Sequence, residues 1–355
     1  MKLAGQIRVI SMTAAAFLSG CAGWQGEKPM PPSPLPTVEV PAAAETVPVA
    51  TPNADAADDP AIFARTDGRP LSFAGKAEPG IILGTDKKAG LYVYALGGGS
   101  LQFLPDGLLN NVDLRPVGDG FIAGASDRGR MGIAMYRYTG SGPLVPAGFI
   151  QSDVIEPYGF CMGKRGDALL AVLIAKDGET RQYRLSDDGS TVTGVEEKRF
   201  AVGTQSEGCV IDDRTGALYI GEEMTGLWRY SVDPADTART PVSMIADQHF
   251  VPDVEGQTII REGGRAWLIG SSQGDSAFAV FALEDAGPRY VGRFRVAASG
   301  SVDGVSGTDG LDAWSGPIGN YPQGLLAIQD DINTGGPQNF KLVDWRAVKA
   351  ALGIE

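Results

Sequence analysis

Leu83–Gly84–Thr85–Asp86–Lys87–Lys88–Ala89–Gly90–Leu91–Tyr92–Val93–Tyr94 reads like Tyr219–Ile220–Gly221–Glu222–Glu223–Met224–Thr225–Gly226–Leu227–Trp228–Arg229–Tyr230. Each is a short apolar run, a polar turn, then Gly–Leu–aromatic and a second run. Runs rich in β-branched and aromatic residues, bounded by Gly, Asp and Pro, are strand signals. Similar runs recur outward from these two, from Ile81–Gly84 to Phe340–Val343. Strand pairs repeating at roughly 40–50 residues predict an all-β propeller, and about six blades fit the length. A two-sheet sandwich is the competing arrangement. Helical periodicity is nearly absent until the end, where Asp344 is placed to cap a short C-terminal helix through Ala351, stopped by Gly353.

The chain has 355 residues, and its start does not read as fold. Lys2 and Arg8 form a basic region, and Val9 to Leu18 is an apolar stretch too short to span a membrane. Leu18–Ser19–Gly20–Cys21 resembles the bacterial lipobox. That resemblance implies a signal peptide over 1–20, lipid on Cys21 and, because Ala22 follows, sorting to the outer membrane. The expected location is a periplasmic or outer-membrane lipoprotein of a Gram-negative bacterium, touching the membrane only through the lipid. Residues 21–52 are rich in Pro, Ala and Val and are expected to form an extended tether. The globular domain is expected over 53–355.

The formal charge is −13, and cleavage before Cys21 removes two cations and no acid, leaving −15. Such a chain is a poor nucleic-acid ligand and a natural cation binder. Acids recur beside glycines at strand ends: Asp58–Asp59–Pro60, Glu207–Gly208, Glu222–Glu223, Asp253–Val254–Glu255–Gly256, Asp303–Gly304 and Asp309–Gly310. Turns use Asp and Gly routinely. Repeated along a β-rich chain, the pattern predicts carboxylates converging on one place, around hard cations such as calcium. The single histidine, His249, stands between Gln248 and Phe250 and lacks the Arg-rich context of a histidine phosphatase. Neither Cys161 nor Cys209 has an Arg six positions on, which excludes a cysteine phosphatase. For phosphoryl hydrolysis, metal-activated water remains. The same two cysteines would meet an oxidising compartment after export, which admits a disulfide; two buried thiols are the alternative.

An ordered set of stretches resembles the β-propeller, or alkaline, phytases. They are Asp55–Ala56–Ala57–Asp58–Asp59–Pro60–Ala61–Ile62, Asp86–Lys87–Lys88–Ala89–Gly90–Leu91, Asn110–Asn111–Val112–Asp113–Leu114–Arg115 and Tyr158–Gly159–Phe160. The set continues through Gln205–Ser206–Glu207–Gly208, Asp253–Val254–Glu255–Gly256, Ser271–Ser272–Gln273–Gly274, Thr308–Asp309–Gly310–Leu311–Asp312 and Gln338–Asn339–Phe340–Lys341. The resemblance implies a six-bladed propeller with several calcium ions at one end of its channel. It implies a monomeric enzyme that removes phosphates stepwise from phytate or calcium phytate. Calcium ligands are expected at Asp59, Glu207, Glu223, Asp253, Glu255, Gln273, Asp303 and Asn339. Substrate contacts are expected at Lys87, Lys88, Arg128, Tyr158 and Lys176. The catalytic set is expected to be Glu207, Tyr158, Lys87, Arg128 and Asp309. Gly307 stands where the family pattern often has a second Asp. A calcium-dependent propeller lactonase and a non-catalytic ligand-binding propeller are the alternatives.

Overall fold

The computed structural model describes residues 30–52, 55–73 and 75–354; the lipobox and Cys21 lie outside them. Six antiparallel sheets follow one another along the chain. Blade 1 is Ala57–Phe63, Ile81–Asp86, Gly90–Ala95 and Ser100–Leu104; blade 2 is Leu109–Val117, Gly120–Asp127, Gly132–Tyr138 and Val145–Gln151. Blade 3 is Pro157–Arg165, Ala168–Ala175, Glu179–Asp187 and Val192–Ala201; blade 4 is Ser206–Asp212, Ala217–Glu222, Gly226–Ser231 and Thr240–Met244. Blade 5 is Val254–Glu262, Arg265–Ser272, Ala277–Glu284 and Gly287–Ala297. Blade 6 has Leu311–Ser315, Gly324–Asp330 and Asn339–Asp344 from the C-terminal end of the chain. The first strand of each blade touches the first strands of the two neighbouring blades, and the ring closes from blade 6 onto blade 1. This is a six-bladed propeller, not a sandwich. The C-terminal helix, Trp345–Leu352, is capped by the Asp344 carboxylate accepting from Arg346 N at 2.9 Å.

Strand period explains the packing. In Ala168–Ala175, Leu170, Val172 and Ile174 face Leu218 and Ile220 of blade 4, whereas Ala171, Leu173 and Ala175 face Ile122, Ile133 and Met135 of blade 2. Each sheet is thus apolar on both faces, which is why its middle strands read as near-continuous apolar runs. Within one of these inter-blade layers, Cys161 and Cys209 are bridged, joining the first strands of blades 3 and 4.

The tether expectation is corrected from Thr37 onward. Thr37–Pro41 pairs in parallel with Gly287–Ala297 as a fifth strand of blade 5. Ala44–Glu45 pairs with Asn339–Asp344 and supplies the fourth strand of blade 6. Val40, Ala42 and Val49 are buried. The N-terminal segment therefore closes the ring.

The first strands of blades 1 to 5 each carry a bulge at their head. Their registers skip at Asp58–Asp59, Asn110–Asn111, Tyr158, Glu207–Gly208 and Glu255–Gly256. Bulges re-aim side chains and bend the strand. The glycines beside them permit close stacking between blades. A Cβ on Gly159 would overlap the Glu207 carbonyl, one on Gly208 the Glu255 carbonyl, and one on Gly256 would lie 2.8 Å from the Asp309 carbonyl.

Two outcomes follow from this packing. Gly208→Ala, which drives a methyl into the Glu255 backbone, is expected to cost about 1–3 kcal/mol in denaturant unfolding; an unchanged midpoint would show that the close approach carries no constraint. The Cys161–Cys209 bridge closes a 48-residue separation, so replacing both cysteines by Ala is expected to cost roughly 3–4 kcal/mol. Peptide mapping without reductant checks the bridge itself: two free, alkylatable thiols in the oxidised protein would remove it.

Candidate active site at the channel mouth

The bulged strand heads and the turns between second and third strands meet at one end of the ring. There Glu207, Glu223 and Glu255 are buried together, each offering a carboxylate oxygen within 4.8 Å of the others. Burial and neighbouring acids push all three away from ionisation. Glu207 and Glu255 are held well above the usual carboxylate range, and Glu223 is raised to about 7, chiefly by burial and then by Asp253. One oxygen of Glu223 and one of Glu255 are buried without a hydrogen-bond partner. Buried carboxylates in this state are costly unless a cation joins them. The donor set, all hard oxygen, fits calcium.

Lys87 is the cation already present. Its buried ammonium lies 2.5 Å from Asp55, 2.8 Å from Asp309 and 3.2 Å from Asp58. Burial opposes its charge, but the carboxylates of Asp58, Asp309, Glu207 and Asp55 outweigh it and hold its pKa well above normal. One ammonium cannot neutralise four acids, and burial leaves Asp309 raised to about 7. Gln273 Nε2 donates to the other Asp309 oxygen at 2.5 Å. Tyr158 stands among Glu207, Glu255 and Glu223, and burial with these acids raises its pKa so far that it stays a neutral phenol. Lys176 lies over the Tyr158 ring, 5.5 Å from its centroid, and is half-exposed, as is Lys88. Arg128 donates to the Lys87 carbonyl at 3.1 Å, with its charge at the rim of the same mouth.

The expected residues divide. Glu207, Glu223, Glu255, Asp309, Gln273, Tyr158, Lys87, Lys88, Arg128 and Lys176 gather at the mouth, and Asp253 sits close enough to raise both Glu223 and Glu255. Lys87 is almost wholly buried, with its ammonium engaged by Asp55, Asp58 and Asp309. Asp59 turns into the channel. It accepts from Val112 N at 3.1 Å and lines a cavity of about 200 Å³ with Asp113, Arg115 and Asp312. Burial, then Asp58, hold Asp59 well above its normal range.

Many carboxylates do converge at the mouth, but two of the expected ligands, Asp303 and Asn339, stand with other partners. Asp303 follows the last strand of blade 5, and Asn339 opens the third strand of blade 6, both far out along their sheets. They meet Lys341 and Glu45 at the seam where the N-terminal segment closes the ring. Lys341 pairs with Asp303, with Glu45 at 2.5 Å and with Asp330 at 3.3 Å, while Asn339 Nδ2 donates to Glu45 at 3.0 Å. Gly307 has φ +49, a left-handed conformation that a second Asp would adopt only under strain.

Sequence reasoning missed three mouth residues. Asn110 Nδ2 donates to Glu207 Oε1 at 2.5 Å. Gln205 Nε2 reaches the Tyr158 hydroxyl at 3.5 Å. Asp55 bridges Lys87 and Lys88. All three belong to the quoted motifs, but their side-chain directions depend on bulges that composition does not reveal.

The family model described as Phytase matches residues 7–355. A 3-phytase of Bacillus subtilis (strain 168) is 36% identical over 337 residues, covering 89% of this chain and 86% of that protein. A luciferin-regenerating enzyme of known structure is similar in fold alone, with a TM-score of 0.50 at 12% identity, over 84% of this chain and 95% of its own. On the strength of the family match and the curated relative, this chain belongs to the phytase family.

Proposed function

We propose that the protein is a calcium-dependent 3-phytase-type phosphomonoester hydrolase that removes phosphates from phytate at the channel mouth. The observation that carries the calcium requirement is the buried Glu207–Glu223–Glu255 trio with its unpartnered oxygens. Bound there, calcium supplies Lewis acidity toward water and phosphate oxygens and the positive charge that lets the acids ionise together. The chain's own residues set the rest. The neutral Tyr158 phenol stands among the acids as an uncharged hydroxyl facing the same mouth. Half-exposed Lys88 and Lys176, with Arg128, present cations to phosphates arriving from solvent. Lys87 lowers the electrostatic cost of the acid cluster from beneath. A mouth this crowded with carboxylates and cations disfavours a lactonase, which needs an apolar pocket. The lipobox at Cys21, with the basic and apolar stretches before it, supports export as a lipoprotein.

Glu207→Gln is expected to lower kcat roughly a hundredfold or more, yet to leave stability in chelator unchanged or raised, because it removes one carboxyl from a buried cluster of acids. Asp303→Asn is expected to do the reverse: a lower melting temperature, and kcat within a few-fold at saturating calcium. Phosphate release and thermal unfolding of the two variants, side by side, check the division between mouth and seam. Equal loss of kcat in both would merge the two clusters into one functional site.

The raised acids also fix a pH dependence. Unfolded, these carboxyls release their protons near pH 4–4.5. In the cation-free fold Glu223 and Asp309 keep theirs to about 7. Between those values the folded state binds more protons than the unfolded chain, so stability falls as pH rises through the window. In chelator the melting temperature is expected to drop on the order of 5 °C or more from pH 5 to pH 8, and excess calcium is expected to abolish most of the drop. A melting temperature in chelator that is flat across this range would refute the burial of these acids.

A further inference from the structure

The heads of the six first strands are equivalent positions around the ring. Five of them bring an acid or a phenol to the mouth: Asp58, Tyr158, Glu207, Glu255 and, just before its strand, Asp309. Blade 2 alone brings two amides, Asn110 and Asn111, on the same kind of bulge. Both are buried. They reach past blade 3 to a single acceptor on blade 4. Asn110 Nδ2 donates to Glu207 Oε1 at 2.5 Å. The Asn111 amide, turned so that its nitrogen faces its acceptors, donates to the same Glu207 Oε1 at 3.1 Å and to the Tyr158 carbonyl at 2.9 Å.

We propose that Asn110 and Asn111 are positioning residues that clamp Glu207 Oε1 and leave Oε2 to face the cation. An amide suits this task where a cation would not. It satisfies one carboxylate oxygen without cancelling the charge that the bound ion requires. An arginine or lysine there would pair with Glu207 and compete with calcium. Two donors on one oxygen also fix the carboxylate plane, which a single bond would leave free to rotate. Because Asn111 also holds the Tyr158 carbonyl, the clamp sets Tyr158 and Glu207 relative to each other. Ser126 Oγ donates to that same carbonyl at 2.6 Å, so the frame of the clamp is itself anchored to the second strand of blade 2.

The inference rests on the calcium reading above, and calcium binding, not activity alone, is its readout. Calcium is titrated calorimetrically into the full-length protein, its Asn110→Ala and Asn111→Ala variants, Glu207→Gln, and the Asn110→Ala/Glu207→Gln double variant, with melting temperature in chelator as the folding check. Hydrogen bonds to charged groups of this kind translate to roughly a tenfold to hundredfold change in affinity. Asn110→Ala is therefore expected to weaken calcium binding at the mouth by about tenfold or more, to lower kcat more than it changes KM, and to have little further effect in the Glu207→Gln background. Asn111→Ala is expected to follow in the same direction with a smaller change, and it carries the test if Asn110→Ala does not fold. Wild-type protein that binds no calcium would overturn the calcium reading and this inference with it. Wild type that binds while both alanine variants bind equally well would overturn the clamp alone. An Asn110→Ala loss that is the same with Glu207 or Gln at position 207 would assign Asn110 to packing and also overturn the clamp.

Discussion

Like charges forced together in a buried space govern this molecule. Two unit charges 4.8 Å apart would repel by roughly 3 kcal/mol at an effective dielectric constant near 20, and the facing oxygens of Glu207, Glu223 and Glu255 lie no farther apart than that. Asp58 and Asp309 add to the field on Glu207. Left to itself the chain answers in two ways, by keeping protons on the acids and by inserting Lys87. Neither is complete, since oxygens of Glu223 and Glu255 remain without partners. The unmet repulsion is what a bound cation would relieve, and the rest of the fold has to hold the acids in place against it.

The propeller supplies that restraint through backbone packing. The bulges re-aim the strand-head side chains toward the mouth, and the glycines beside Tyr158, Glu207 and Glu255 let the next strand press close. Gly159 lies on the Glu207 backbone, Gly208 on that of Glu255 and Gly256 on that of Asp309, where Gly256 N also donates to the Asp309 carbonyl at 2.7 Å. The acids are thus stacked blade on blade. The Cys161–Cys209 bridge ties together the two strands that carry Tyr158 and Glu207. A rigid frame of this kind allows an ion site to be preorganised without the acids relaxing apart.

Much of this was legible in the residues. The paired Gly–Leu–aromatic repeats gave blades, and the acid–Gly pairs at 207–208, 255–256 and 309–310 marked the mouth. What composition could not convey was distance from the axis. Asp303 and Asn339 carry the same functional groups as the mouth residues, yet strand position places them at the seam with Lys341. Nor could composition show that each glycine serves the acid of the following blade, because that contact lies between segments about fifty residues apart. The N-terminal stretch misled for a related reason. Edge pairing is made by backbone groups and small side chains such as Val40 and Ala42, so a Pro- and Ala-rich segment without aromatics closes a ring as well as a conventional strand does.

The two charged clusters then take different duties from their positions alone. At the seam, Glu45 comes from the start of the described chain and Lys341, Asp303 and Asp330 from its end. Charge pairing there acts on whether the ring is shut, a global property. At the mouth, the acids sit on strand heads and turns that the apolar layers between blades already hold, so charge there acts on what binds and on how stability varies with pH and cations, not on whether the ring is shut. Lys341 is fully buried and lies away from the channel, so a phosphate in solution has no access to it. Lys88 and Lys176 are half-exposed beside the acids and meet solvent directly. A strongly acidic protein can in this way attract a polyanion at one opening while keeping its closure chemistry out of the substrate's reach.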